Sequence, residues 1–268
     1  MIKMMTLTAL TLIWLTGCGQ SGSSDTENKD KIYDKVSEYN NTVTTPPYDY
    51  QKFRTVLNRS RLQYPDITVV VPSGHFDGYQ APWFYSLNGD LFFSAEKPAN
   101  LPTIRSELRE ESIWKTSDTT RHIWSAKLKC FKPQKGINAY TWMQILGTND
   151  SFNYPLIRLM WVRNYHGIYD HLWAIVITSD AYDPNITYDW VDLGERTGDY
   201  VSAKVEIADN TMRIFLNDTV IRQYDVTYWQ SVDNYFKAGI YINRPKDHGK
   251  ATVAFHELSF TQDIQGDK

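Results

Sequence analysis

Cysteine is nearly absent: the 268 residues hold two, Cys18 and Cys130, which excludes a disulfide framework. An excess of basic charge is also missing. Lys and Arg total 28 against 31 Asp and Glu, a formal net charge of −3, and without a global basic field no nucleic-acid partner is expected. The longest largely apolar run, Met4 to Leu15, is too short to make a comfortable transmembrane helix. Helical periodicity is scarce as well, confined to residues 31–39 and 50–58. What remains is a globular composition, 42% hydrophobic and 22% charged, in which aromatics stand out with 9 Trp, 18 Tyr and 11 Phe. Such rings fill the core of a β-sandwich or stack on sugars, and composition alone does not separate the two uses.

Residues 1–17, with Lys3 ahead of the apolar run, read as a secretory signal. Leu15-Thr16-Gly17-Cys18 resembles the bacterial lipobox, in which cleavage exposes the cysteine to lipid, so Cys18 is the expected lipidation site. No Asp stands at Gly19 to retain the protein in the inner membrane. The expected location is therefore the bacterial cell envelope, lipid-anchored in the outer membrane. Residues 18–47 are polar and end on Pro46-Pro47, as a flexible tether would. The folded domain is assigned to 48–262, with a short tail at 263–268. Loss of the signal leaves 27 basic against 31 acidic residues, a net −4.

From residue 67 onward, short runs of β-branched and aromatic residues alternate with Gly, Asn, Asp and Pro, giving thirteen candidate strands between 67–71 and 252–260. Asn88-Gly89-Asp90 and Asn217-Asp218 supply turn chemistry between neighbouring runs. So many strands without interleaved helices predict an all-β domain, an antiparallel sandwich or barrel. The stretch holding Asp189, Asp192 and Glu195 reads as a loop, so the paired strand-borne carboxylates of a glycoside hydrolase are missing. Cys130 has no local His pattern, which sets a thiol enzyme aside. His166 and His171 have poor metal-ligand spacing, and neither a metal nor a cofactor is expected.

Side chains alternate between the faces of a strand, so polar residues of one parity mark a working side. In 235–243, Tyr235, Lys237, Tyr241 and Asn243 point one way, and Phe236, Ala238, Ile240 and Ile242 the other. Arg105, Glu107 and Arg109 share a parity in 105–109, as do Trp142, Gln144 and Leu146 in 142–146. Each pattern alone fits a solvated outer face, since alternation is normal in antiparallel sheets.

Their order along the chain is more specific. Arg-Ser-Glu-Leu-Arg at 105–109, Gln-Ile at 144–145 and Tyr-Phe-Lys-Ala-Gly-Ile-Tyr at 235–241 resemble the three signature strands of polysaccharide lyase family 7, the alginate lyases. The likeness extends through 78–80, 90–93 and 155–159 and covers about 74–260. It implies a β-jelly roll, a concanavalin-like sandwich of two curved antiparallel sheets, whose concave face binds an acidic polysaccharide. A monomer is expected, touching a membrane only through its lipid.

The resemblance also implies roles. Such a lyase cleaves 4-linked uronates by β-elimination, and donors that neutralise the substrate carboxylate let charge develop there, as in an oxyanion hole. Arg109 and Gln144 would serve as those donors, and Tyr241 corresponds to the catalytic tyrosine. Arg105, Lys237, Tyr235, Asn243, Arg158 and Trp142 would contact substrate, with Glu107 positioning its neighbouring cations. Two departures stand out. The family reads Gln-Ile-His or Gln-Val-His where this chain has Leu146, and Asn243 replaces a glutamine. Either Tyr241 acts as both base and acid, which favours mannuronate or glucuronate with H5 and O4 on the same side, or another histidine serves. His75 is the first candidate, ahead of His122, His166 and His171. A sugar-binding module and a glucuronan lyase stay open as alternatives on the same fold.

Overall fold

The computed structural model describes residues 43–148 and 154–263. The signal, Cys18, most of the tether and the expected helix at 31–39 lie outside the described residues. Thr45 already pairs with Ser86 through two backbone hydrogen bonds, so domain contacts begin within the stretch expected to be tether. A single 3-10 turn, Pro47–Asp49, leads into helix α1 (Gln51–Asn58), which buries Phe53, Val56 and Leu57 at the spacing of one helix face.

Fifteen strands follow among the described residues. They are β1 (Ser60–Gln63), β2 (Val69–Val71), β3 (Phe84–Leu87), β4 (Asp90–Lys97), β5 (Ile104–Glu110), β6 (Arg121–Cys130), β7 (Ala139–Thr148) and β8 (Pro155–Tyr165). Then come β9 (Ile168–Ile177), β10 (Tyr188–Glu195), β11 (Val201–Ala208), β12 (Thr211–Leu216), β13 (Thr219–Asp225), β14 (Asp233–Ile242) and β15 (Gly249–Asp263). Two of them escape the sequence reading. β1 has only four residues, too few for alternation to register. β10 was expected to be a loop because Asp189, Asp192, Gly194 and Glu195 dilute its apolar face, yet Val191 and Leu193 are buried in the core.

The strands form two antiparallel sheets, one of eight in the order β10-β9-β8-β7-β14-β5-β1-β2 and one of seven in the order β13-β12-β11-β6-β15-β4-β3. This is the expected jelly-roll sandwich. Two-residue turns set the register as their sequences ask: Asn88 and Gly89 have φ of 53° and 83°, and Asn217 and Asp218 have 47° and 62°. Inward side chains of both sheets meet in one core, where Trp124 of β6 lies 5.8 Å from Trp142 of β7 and Phe236 of β14 lies 5.7 Å from Phe260 of β15. Each fully buried aromatic contributes roughly 1.5–3 kcal/mol, and that burial fixes which face of each strand stays open.

Trp142 is thereby removed from the expected substrate contacts. It is wholly buried against Trp124, and Met143 beside it is buried in the same core. Both point inward because β7 bulges against β8 between Thr141 and Met143, which breaks the alternation that assigned Trp142 to the working face.

Candidate active site

The open face of the eight-stranded sheet is centred on β14, hydrogen-bonded to β5 on one side and β7 on the other. Register places Lys237 opposite Arg109, Gly239 opposite Glu107 and Tyr241 opposite Arg105 on the β5 side. On the β7 side, Tyr235 faces Leu146 and Lys237 faces Gln144, which in turn pairs with Arg158 on β8. Phe236, Ala238, Ile240 and Ile242 enter the core, so the parity read from β14 holds. Gly239 is required at the centre. With φ of +141°, a Cβ there would run into the Ser106 carbonyl and lie 2.8 Å from Glu107 Cα.

Glu107 is the hub of the cluster. Its Oε1 accepts from Gln144 Nε2 at 2.6 Å, and its Oε2 accepts from Lys237 Nζ at 2.6 Å and Arg105 Nη1 at 3.3 Å. Glu107, Lys237 and Gln144 are each 1% exposed, so these are buried, charge-assisted bonds. A carboxylate only accepts, so its contact fixes the orientation of the Gln144 amide and leaves the second amide N–H of that nitrogen free to donate. Burial pushes Lys237 down to about 8, against the pull of Glu107, and Arg105 adds to the fall.

Tyr241 is half-buried, with the Arg105 guanidinium carbon 4.3 Å from its ring centre and that of Arg158 at 6.0 Å. Arg109 instead covers Tyr235 at 4.0 Å and approaches Glu111 at 3.9 Å. Burial raises the Tyr235 pKa, with Arg109 opposing. The structure thus puts Arg105, and not Arg109, against the tyrosine expected to do the chemistry. Leu146 faces the same way as Gln144 and Tyr235, 8% exposed and hydrocarbon. The cluster therefore combines a phenol, an amide N–H and guanidinium groups on one surface, a set suited to binding a carboxylate beside a proton-transferring hydroxyl.

Other expected residues fall elsewhere. His75 is exposed in the loop after β2, at the edge of the sheet and three strands from β14. His122 stacks on Trp114 at 4.6 Å, bonds Asp118 at 3.0 Å and belongs to β6 in the other sheet. His166 lies in the turn between β8 and β9, and His171 of β9 bonds Asp192 at 2.7 Å. Asn243 follows the last residue of β14, half-buried.

Sequence reasoning missed two groups on this face. Arg61 and Gln63 of β1 sit opposite Arg109 and Glu107, and a four-residue strand gave no signal for them. Tyr165 and Trp190 stack at 4.0 Å beside Trp173, forming an aromatic shelf over β8–β10. Alternation in Trp190-Val191-Asp192-Leu193 was the available clue. Among the described residues, no group of three His, Cys, Asp or Glu side chains is placed to hold a metal ion.

Known proteins resemble this chain over most of its length. An alginate lyase of Photobacterium sp. (strain ATCC 43367) is 22% identical over 250 residues, spanning 80% of this chain and 87% of its own. Among solved structures, alginate lyase AlyC3 in complex with dimannuronate matches with a TM-score of 0.73 and 19% identity, covering 82% of this chain and 95% of that one. Alginate lyase A1-II′, a member of polysaccharide lyase family 7, matches with 0.65 and 22%, covering 82% and 99%. Those identities speak to the fold. The family model for alginate lyase matches residues 57–262, from the end of α1 to the end of β15 and through all three motif strands. With well over half of its length under that model, the chain belongs to the alginate lyase family, polysaccharide lyase family 7.

Proposed function

We propose that this polysaccharide lyase acts on the mannuronate-type linkages of alginate, with Tyr241 as both base and acid. β-Elimination breaks the C5–H and C4–O4 bonds of a 4-linked uronate, forms the C4–C5 double bond and gives the departing O4 a proton. The barrier lies in the weak acidity of a hydrogen beside a carboxylate. Arg105 and the free amide N–H of Gln144 bind that carboxylate, so that charge moves into it as the proton leaves. Arg105 takes the part expected of Arg109, and Glu107 holds Arg105, Gln144 and Lys237 in place.

The observation that carries this reading is Leu146. A side chain with no proton to move stands where the family's histidine would, and none of the six histidines lies on β5, β7 or β14. Without a separate base, one phenol serves best where H5 and O4 lie on the same side of the ring, as in mannuronate. The test is to follow the ultraviolet absorbance of the new double bond on mannuronate-rich and guluronate-rich polymers. Turnover of the first faster by about tenfold or more is expected. Equal rates, or a preference for guluronate, would overturn the proposal.

We propose further that cleavage at Cys18 and lipidation anchor a monomeric enzyme in the outer membrane. The lipobox-like Leu15-Thr16-Gly17-Cys18 supports this. Radiolabelled palmitate incorporated by the full chain but not by Cys18→Ser, with fractionation of both, tests it.

A further inference from the structure

Among the described residues, five cations share the open face of the eight-stranded sheet, and four have a carboxylate. Arg61 meets Glu111 at 3.3 Å, Arg109 meets Glu111 at 3.9 Å, and Arg105 and Lys237 meet Glu107 at 3.3 and 2.6 Å. Arg158 is the exception. It makes no ion pair and no hydrogen bond among the described residues, and its Nε, like those of Arg61 and Arg105, is buried with no hydrogen-bond acceptor. Burial lowers its pKa, with Tyr241 and Glu107 opposing at longer range. Nε is thus a donor taken out of water without an acceptor, which costs stability, while the half-buried side chain leaves the rest of the guanidinium open to a ligand.

Its position suggests what completes it. Strand order places β5 on one side of β14 and β8 beyond β7 on the other, so Arg105 and Arg158 approach the Tyr241 ring from opposite directions. Resting on the proposed function, we infer that Arg158 binds the carboxylate of the uronate next to the scissile one, making a charged neighbour a condition of tight binding. A guanidinium takes a carboxylate through two parallel N–H···O bonds, which an ester or a neutral sugar cannot reproduce. In a diequatorially 1,4-linked chain each sugar is turned half over relative to the last, so successive carboxylates leave by opposite edges. Cations flanking the phenol from opposite sides match that alternation. Arg105 serves the reacting sugar and Arg158 its neighbour.

The experiment uses Arg158→Gln and Arg158→Lys in the full chain, on polymannuronate and on the same polymer partly methyl-esterified. Arg158→Gln is expected to raise KM on the free-acid polymer by about tenfold or more with kcat within about twofold, and to reduce the preference for free acid over ester. Arg158→Lys should recover part of the affinity. Tm should hold or rise, since a buried donor without an acceptor has been removed. An unchanged KM, a fall in kcat alone, or a lowered Tm would each overturn the inference, the last by making Arg158 a prop of the fold. Binding separates this inference from the catalytic one. If Tyr241→Phe retains polymer and Tyr241→Phe with Arg158→Gln releases it, Arg158 binds carboxylate even should no polyuronate be cleaved.

Discussion

The β5 and β8 sides of Tyr241 carry the same chemical group in opposite states. On the β5 side, Arg105 is tied to Glu107, which also holds Lys237 and Gln144. On the β8 side, Arg158 has no ion pair or hydrogen bond among the described residues, and its Nε is buried without an acceptor. Buried charges that satisfy one another make a rigid frame, and a half-buried guanidinium with no counterion beside it makes a receptor. The difference separates residues that shape the site from a residue that waits for substrate, although every one of them has the parity of a working face.

The largest effect should come from the group between the two sides. Tyr241→Phe removes the proton donor and acceptor while keeping the ring under Arg105, and the elimination rate should fall by about 10³-fold or more with polymer binding kept. Activity close to wild type in the double-bond assay would mean that another residue moves the proton. Next, Glu107→Gln takes the shared acceptor from the frame and leaves Lys237 buried and uncompensated. Denaturant unfolding should show a loss of about 3–5 kcal/mol, in contrast with the unchanged or raised stability expected of Arg158→Gln. If the two variants moved stability in the same direction, the distinction between frame and receptor would collapse.

Gly239→Ala tests the backbone under the frame. The new methyl has no room against the Ser106 carbonyl, and φ of +141° suits no other L-residue, so stability should fall by more than about 1 kcal/mol. An unaffected unfolding midpoint would show that β5 and β14 part without cost.

The pH response of Lys237 follows from its pKa near 8 in the fold against the ordinary 10.5. Between those values the unfolded chain keeps a proton that the folded chain has shed, so this group's contribution to stability rises with pH across that window and is lost as pH falls back through 8. Activity should move the other way, declining above about pH 8 as the ammonium that partners Glu107 loses its charge. Lys237→Met should flatten the rise in Tm, and a wild-type slope in that variant would assign the titration elsewhere.

The smallest change expected is a gain. Leu146→His returns a base to the face beside Gln144, and cleavage of guluronate-rich polymer should rise by a few fold relative to mannuronate-rich polymer. No shift in that ratio would detach linkage preference from position 146.

Much of this molecule is legible along the chain. Turn pairs such as Asn88-Gly89 and the alternation of 235–242 foretell hairpins and faces, because both depend on residues adjacent in sequence. β1 and β10 were hidden for a local reason, one being four residues long and the other diluted by acids. Trp142 misled for a different one. A bulge is a relation between strands, and no residue in β7 announces that β8 has one residue fewer opposite it.

The sequence by itself determined the all-β class, the three motif strands, the polar parity of β5 and β14, and the loss of the motif histidine at Leu146. Those features rest on local conformational preference and side-chain chemistry. Only the tertiary structure decided that Arg105 covers Tyr241 while Arg109 covers Tyr235, that Trp142 belongs to the core, that His75 stands three strands away, and that Arg158, alone among the described cations of this face, has no carboxylate beside it. Each of these depends on strand order, register and burial, which arise when residues distant in the chain are brought together and water is excluded between them.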